Sequence, residues 1–142
     1  MSLYLDASVM MPALVAEQSS ASVDAFLLNN SDELIVSDFA AAEVASALSR
    51  LVRMGRLTHE AAMQRLNDFD TWRLSETAPA TFAASDFHLA NLFVRRFDLK
   101  LHAPDALHAA ICQRQQLQLV TLDRRLADAA RELGIDAAVP TA

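Results

Sequence analysis

The sequence predicts an α/β fold, a three-layer sandwich with a central parallel sheet of four to five strands flanked by helices. Two observations support this prediction. Short apolar segments that are typical of buried strands alternate along the chain with longer segments of helical periodicity. Several of these apolar segments are followed directly by an acidic residue or a helix cap. Alternating strands and helices of this size favour a parallel sheet covered on both faces.

In the first half of the chain, local signals separate six elements. Ser37 is a typical N-cap residue, and Val44 and Leu48 recur at helical spacing after it. Gly55 ends that helix as a C′ glycine, and Thr58 begins the next one. The predicted elements are strand 2–5, helices 7–16 and 20–29, strand 33–36, and helices 39–54 and 58–70.

The second half contains six further elements. Pro79 and Pro104 are each predicted at the first position of a helix, where the missing N–H is tolerated. The segment 117–122 is the clearest strand in the chain, and Asp123 ends it. The predicted elements are strand 72–75, helices 79–97 and 104–115, strand 117–122, helix 124–133 and strand 137–139.

Composition excludes several classes of protein. The 142 residues fit one domain, 1–142, and a hydrophobic content of 53% with 21% charged residues excludes a disordered chain. No apolar run approaches the roughly 20 residues that a membrane span requires, so no membrane association is expected. Cys112 is the single cysteine, and no secretory signal follows Met1. These features favour a cytoplasmic protein.

Four acidic residues are predicted to meet at one edge of the sheet. Asp6 follows the first strand, Asp123 follows the fourth, and Glu43 lies in the second turn of the helix after the second strand. The helix from Pro104 carries the chain about 17 Å away, and the next strand returns it by roughly the same distance. Asp105 is therefore expected near Asp123. For any one of these acids, a role as a helix cap is a common alternative, because an Asp after a strand often caps the next helix.

Such a cluster of carboxylates predicts a bound divalent cation. Ionised carboxylates in one pocket repel each other, and without compensation their pKa values would rise. All-oxygen ligands suit Mg²⁺, with Mn²⁺ as a possible substitute, and two such ions would lie about 3.5–4 Å apart. The net charge of -6 speaks against a general nucleic-acid surface, which is normally basic, but bound metal would neutralise part of it.

The acidic motifs and their surroundings resemble the PIN-domain family, in particular the VapC toxins of bacterial toxin–antitoxin pairs. The resemblance extends over essentially the whole chain and implies a PIN-like three-layer sandwich. It also implies a Mg²⁺-dependent endoribonuclease that hydrolyses RNA with an activated water, forms a homodimer and is inhibited by a VapB-type antitoxin. The matching segments are 4–8 (YLDAS), 37–38 (SD), 42–44 (AEV), 104–110 (PDALHAA) and 121–126 (TLDRRL).

The resemblance places Asp6, Glu43, Asp105 and Asp123 in the metal and catalytic site. It implies that Asp6 and Asp105 are direct or water-mediated ligands, and that Glu43 binds through water or orients the nucleophile. Thr121 lies two residues before Asp123, so that both would face the same side of a strand. Ser8 and Thr121 are therefore expected to orient carboxylates or waters around the metal.

Other polar residues receive a structural interpretation. His108, one helical turn after Asp105, could approach the site, but it is interpreted as a packed helix residue. Three basic groups could contact RNA phosphates, although such a group is more often simply a solvated face. These groups are Arg50, Arg53 and Arg56; Arg95, Arg96 and Lys100; and Arg124 with Arg125.

Two alternative functions belong to other classes of phosphate-handling α/β protein. A phosphatase with Asp6 as nucleophile would need a second acid two residues later, where this chain has Ser8. A receiver-like binding module would need a lysine after the last strand, whereas the single lysine, Lys100, precedes the fourth. A third alternative, a PIN-like scaffold without catalysis, is disfavoured by the intact acids.

Overall fold

A computed structural model of the protein describes residues 1–141. The strands are β1 (Leu3–Leu5), β2 (Leu34–Ser37), β3 (Thr77–Ala80), β4 (Gln118–Val120) and β5 (Ala137–Ala138). The helices are α1 (Ala7–Leu14), α2 (Ser20–Leu28), α3 (Asp38–Arg53), α4 (His59–Glu76), α5 (Ala84–Val94), α6 (Ala103–Gln115) and α7 (Arg124–Glu132). Within this range no helix is both long and apolar enough to cross a membrane.

The five strands form one parallel sheet in the order β3-β2-β1-β4-β5. Tyr4, in the central strand β1, is paired with Ile35 of β2 on one side and with Leu119 of β4 on the other. Because the strands run in the same direction, the carboxyl ends of β1, β2 and β4 lie along one edge. The predicted parallel α/β sheet is confirmed.

Successive residues of β1 face opposite sides of the sheet, as the two-residue repeat of a strand requires. Leu3 and Leu5 belong to a core built with residues of α1, α2, α3 and α4. Tyr4 belongs to a second core that includes residues of α5, α6 and α7. Each fully buried Leu or Val contributes roughly 1.5–3 kcal/mol. The sheet therefore has a helical layer on each face, which is the predicted three-layer sandwich.

The predicted strand at 72–75 is wrong. Helix α4 continues to Glu76, and Trp72 lies against Phe69 one turn earlier, with ring centroids 6.0 Å apart. The third strand is instead Thr77–Ala80 and contains Pro79. This strand is at the edge of the sheet, where a proline without an N–H removes no necessary ladder hydrogen bond.

The predicted helix 79–97 is consequently too long at both ends. Helix α5 begins at Ala84, and the carboxylate of Asp86 accepts a hydrogen bond from the backbone N–H of Ala83 (2.9 Å). It ends at Val94, and a short 3₁₀-helix follows at Phe97–Leu99. The remaining predicted boundaries differ from the observed ones by a few residues, apart from α4.

Candidate active site

Asp6 lies at the carboxyl end of β1 with only 6% of its surface exposed. The hydroxyls of Ser8 and Thr121 donate hydrogen bonds to its two carboxylate oxygens, at 2.5 and 2.6 Å. Both hydroxyl oxygens also accept from backbone N–H groups, Ser8 from Leu122 (2.9 Å) and Thr121 from Asp123 (3.0 Å). Because each hydroxyl oxygen accepts from the backbone, its own proton is free to point at Asp6.

Burial raises the pKa of Asp6, and the hydrogen bonds from Ser8 and Thr121 offset only part of that increase. In the described part of the chain, no Lys or Arg side chain forms an ion pair with this carboxylate. A buried carboxylate without a neighbouring cation is unstable in its charged form. The electrostatics at Asp6 therefore favour the binding of an external cation.

Asp105 and Asp123 lie close enough to share one guanidinium group. Nη2 of Arg125 is 3.5 Å from Oδ2 of Asp105 and 3.8 Å from Oδ2 of Asp123. The Nη1 atom of the same residue donates to the carbonyl oxygen of Lys100 (3.0 Å). This geometry supports the prediction that α6 and β4 together bring Asp123 back near Asp105.

Both carboxylates also cap helices, which is the alternative role that the sequence suggested for them. Asp123 accepts from the backbone N–H groups of Arg125 (3.0 Å) and Leu126 (3.2 Å) at the start of α7. Asp105, in the first turn of α6, accepts from the N–H of His102 at 3.4 Å. The capping bonds fix the positions of these carboxylates, while Oδ2 of Asp123 and Oδ2 of Asp105 face the guanidinium of Arg125.

Glu43 is held by a chain of hydrogen bonds that starts in the core. Its Oε1 atom is 2.5 Å from Nε2 of His108, whose Nδ1 is 2.6 Å from the hydroxyl of Tyr4. That hydroxyl lies 2.8 Å from Oγ of Ser37. Burial raises the pKa of Tyr4, so its hydroxyl remains protonated.

One assignment of protons satisfies every atom in this chain. Ser37 accepts from the N–H of Ala40 (3.0 Å) and donates to the oxygen of Tyr4. Tyr4 then donates to Nδ1 of His108, and the protonated Nε2 donates to Glu43. In this assignment, a neutral imidazole in a single tautomer orients the carboxylate of Glu43.

The link between His108 and Glu43 was not anticipated from the sequence. His108 is buried, with 2% exposure, and its ring packs against Phe39 and Tyr4. It is thus a packed helix residue, as predicted, but it also contacts Glu43. Its position three residues after Asp105, on the same face of α6, was the available signal.

The donor set of this edge fits a hard divalent cation, because all four acids offer carboxylate oxygens. The structure connects Asp6 to Asp123 through Thr121 and brings Asp123 beside Asp105. Among residues 1–141, however, no three His, Cys, Asp or Glu side chains are gathered tightly enough to hold a metal. The guanidinium of Arg125 lies within 4 Å of both Asp105 and Asp123, the region that a cation between them would occupy.

Comparison with solved structures identifies several proteins of the same fold. A VapBC2 complex from Rickettsia felis, bound to a DNA fragment from its promoter, superposes with a TM-score of 0.70 at 18% identity, covering 98% of each chain. VapC20 of Mycobacterium tuberculosis, a toxin that cleaves the sarcin–ricin loop, gives 0.72 at 16% identity over 89% of this chain and 94% of that one. A DNA-bound VapBC from Salmonella typhimurium gives 0.70 at 14% identity over 99% of both.

These identities are too low to transfer more than the fold. Among curated proteins, none matches this sequence.

A family model provides the stronger result, because the model of the PIN domain matches residues 3–132. That range includes all four acids and both hydroxyl residues that contact Asp6. The chain belongs to the PIN-domain family.

Proposed function

We propose that this protein is a Mg²⁺-dependent endoribonuclease, the toxic component of a VapBC-type toxin–antitoxin module, formed by a single PIN domain over residues 1–142. The observation that carries the proposal is the buried carboxylate of Asp6, held by two hydroxyl donors and forming no ion pair with Lys or Arg in residues 1–141. Family membership and the fold shared with VapC toxins agree with it. The same membership disfavours the phosphatase and receiver alternatives.

Asp6, Asp105, Glu43 and Asp123 are the residues that would hold the ion, Mg²⁺ or Mn²⁺. The bound ion would lower the pKa of a water molecule to make it nucleophilic and offset negative charge on the phosphodiester. Ser8 and Thr121 keep the carboxylate of Asp6 in one orientation. The imidazole of His108 holds the carboxylate of Glu43 in one orientation through Oε1. The second carboxylate oxygen of Glu43 would then orient the attacking water.

The proposed partners are an RNA substrate, a VapB-type antitoxin and a second copy of the chain in a homodimer. Solved structures of the same fold include VapBC complexes of toxin and antitoxin, which supports an antitoxin partner here. We propose the cytoplasm as the site of action, where the single buried Cys112 stays reduced.

Purified protein incubated with RNA tests this proposal directly. We expect cleavage in Mg²⁺ or Mn²⁺, loss of cleavage in EDTA, and loss in Asp105→Asn. Asp136→Asn is a matched control, because Asp136 is an exposed acid outside the candidate site. Cleavage that persists in EDTA, or equal activity of Asp105→Asn and the control, would contradict the proposed function.

A further inference from the structure

Glu43 lines a surface groove of about 530 Å³ together with Arg50, Arg53 and Arg56. The groove follows helix α3, which ends at Arg53. One carboxylate of the candidate active site and three guanidinium groups therefore share a single continuous surface. We call this surface the arginine groove.

The local sequence explains why these side chains share one surface. Arg50 follows Glu43 by seven residues, or two helical turns, so both lie on the same face of α3 about 10 Å apart. Gly55, at φ 71°, then reverses the chain. The N–H groups of Gly55 and Arg56 return to the carbonyl oxygens of Val52 (3.0 Å) and Leu51 (2.9 Å). This glycine turn places Arg56 beside the end of the helix.

The guanidinium groups of the arginine groove have no acidic partner in residues 1–141, unlike five of the eight arginines elsewhere in the chain. Within residues 1–141, Arg50, Arg53 and Arg56 form no ion pair, and Arg53 donates only to the hydroxyl of Ser49 (2.6 Å). In contrast, five other arginines each pair with an aspartate: Arg73, Arg96, Arg114, Arg125 and Arg131. Besides Glu43, Glu17 is the other acid on the groove.

We propose that the arginine groove binds successive phosphates of single-stranded RNA on one side of the scissile bond. This inference rests on the proposed function, because RNA cut beside Glu43 must pass over an adjoining surface. Exposed guanidinium groups bind phosphate through paired hydrogen bonds and set the register of the backbone without reading sequence. A groove of positive charge that adjoins the active site fits this role, although the net charge of the chain is -6.

Binding of a labelled oligouridylate, measured by fluorescence anisotropy at several salt concentrations, tests the proposal. All proteins carry Asp105→Asn so that the probe is not cut. The groove variant replaces Arg50, Arg53 and Arg56 by Gln. A control variant replaces Arg95, Arg96 and Arg131 by Gln, so that the two variants have the same net charge. We expect the groove variant to bind on the order of ten- to a hundredfold more weakly, with a salt slope smaller by about 2. The control should change affinity by less than about threefold.

Four outcomes would overturn the inference. The first is no binding by the parent protein, the second is unchanged binding in the groove variant, and the third is an equal loss in the control. The fourth is binding of polyglutamate that requires the three arginines while RNA binding does not, which would assign the groove to an acidic protein. Failure of the proposed function looks different, since the parent would bind oligouridylate through the groove while the wild-type chain cuts no RNA.

A second variant separates charge from hydrogen-bonding geometry. With Lys at positions 50, 53 and 56, the positive charge remains but the planar fork of the guanidinium is lost. We expect this variant to keep the salt slope of the parent and to bind more weakly than the parent but more tightly than the Gln variant. Affinity equal to that of the Gln variant would contradict phosphate binding by charge in the groove.

Discussion

Two carboxylates, Asp6 and Asp86, are buried to a similar extent, with 6% and 1% of their surface exposed, but their surroundings differ. Asp86 lies 2.6 Å from Nε and 2.9 Å from Nη2 of Arg114, and it accepts from the N–H of Ala83. In the described residues, Asp6 receives hydrogen bonds from neutral groups, the hydroxyls of Ser8 and Thr121 and the backbone N–H of Val9, and forms no ion pair with Lys or Arg. One buried charge thus has a cation supplied by the fold, and the other has none.

The pKa values of the two groups move in opposite directions for this reason. Burial raises the pKa of Asp6, and the hydroxyl hydrogen bonds do not reverse the increase. Burial also acts to raise the pKa of Asp86, but the hydrogen bonds from Arg114 and Ala83 and the charge of Arg114 lower it overall. A buried carboxylate with its own arginine is a structural element, whereas one without is suited to bind an ion from solution.

The largest expected effect is on catalysis. Asp6→Asn keeps the shape of the side chain but removes the charge that a metal ion requires, so RNA cleavage should fall at least about a thousandfold. Asp86→Asn, which removes the other buried carboxylate, should leave the rate per folded molecule within about twofold. Initial rates in Mg²⁺, with circular dichroism to confirm folding, measure both. Retention of a tenth of the wild-type rate in Asp6→Asn would refute the distinction.

The second effect is on stability and concerns Asp86. Arg114→Met leaves this carboxylate buried without a charged partner, which should lower the free energy of unfolding by about 3 kcal/mol. We take the lower end of the usual range, because the guanidinium is 31% exposed. Adding Asp86→Asn to the same protein should recover part of the loss. Urea denaturation measures both values, and a loss below about 1 kcal/mol would show that Asp86 does not depend on Arg114.

The pH dependence of stability in EDTA should have opposite signs for the two residues. The pKa of Asp86 is lowered on folding, so its contribution is present above 3.8, the pKa of an unperturbed Asp, and is lost as pH falls through its lower folded pKa. The pKa of Asp6 is raised, so its contribution is present below 3.8 and is lost as pH rises through its folded pKa. The free energies of unfolding of wild type, Asp6→Asn and Asp86→Asn, measured across this pH range, give the contribution of each carboxylate. If both contributions changed with pH in the same direction, the prediction would be contradicted.

The proximity of Asp105 and Asp123 was predicted correctly from the sequence, whereas some of the surrounding elements were not. Asp6 and Asp123 follow strands, and helix and strand lengths alone brought Asp105 near Asp123. The edge strand at Pro79 was missed, because a proline after a helical segment favours a helix start unless the position in the sheet is known.

The partners of the buried charges were also outside the reach of the sequence. Asp86 and Arg114 are 28 residues apart, and Glu43 and His108 are 65 residues apart. The spacing of His108 from Asp105 pointed towards the site, but the local sequence identified neither pairing, since each contact is made by helices that pack only in the folded chain. Sequence reasoning thus identified candidate acids but could not tell which of them had a cation from the protein.

Asp105 and Asp123 are intermediate between the two buried carboxylates, because Arg125 contacts both but is itself 44% exposed. An exposed ion pair is weak, so a divalent cation should displace this guanidinium at little cost. Arg125→Gln should therefore strengthen Mn²⁺ binding by about two- to fivefold in calorimetric titrations. Arg124→Gln, which removes the neighbouring exposed arginine, is the matched control and should change affinity less. Weaker Mn²⁺ binding in Arg125→Gln than in this control would mean that Arg125 supports the metal site and does not compete with it.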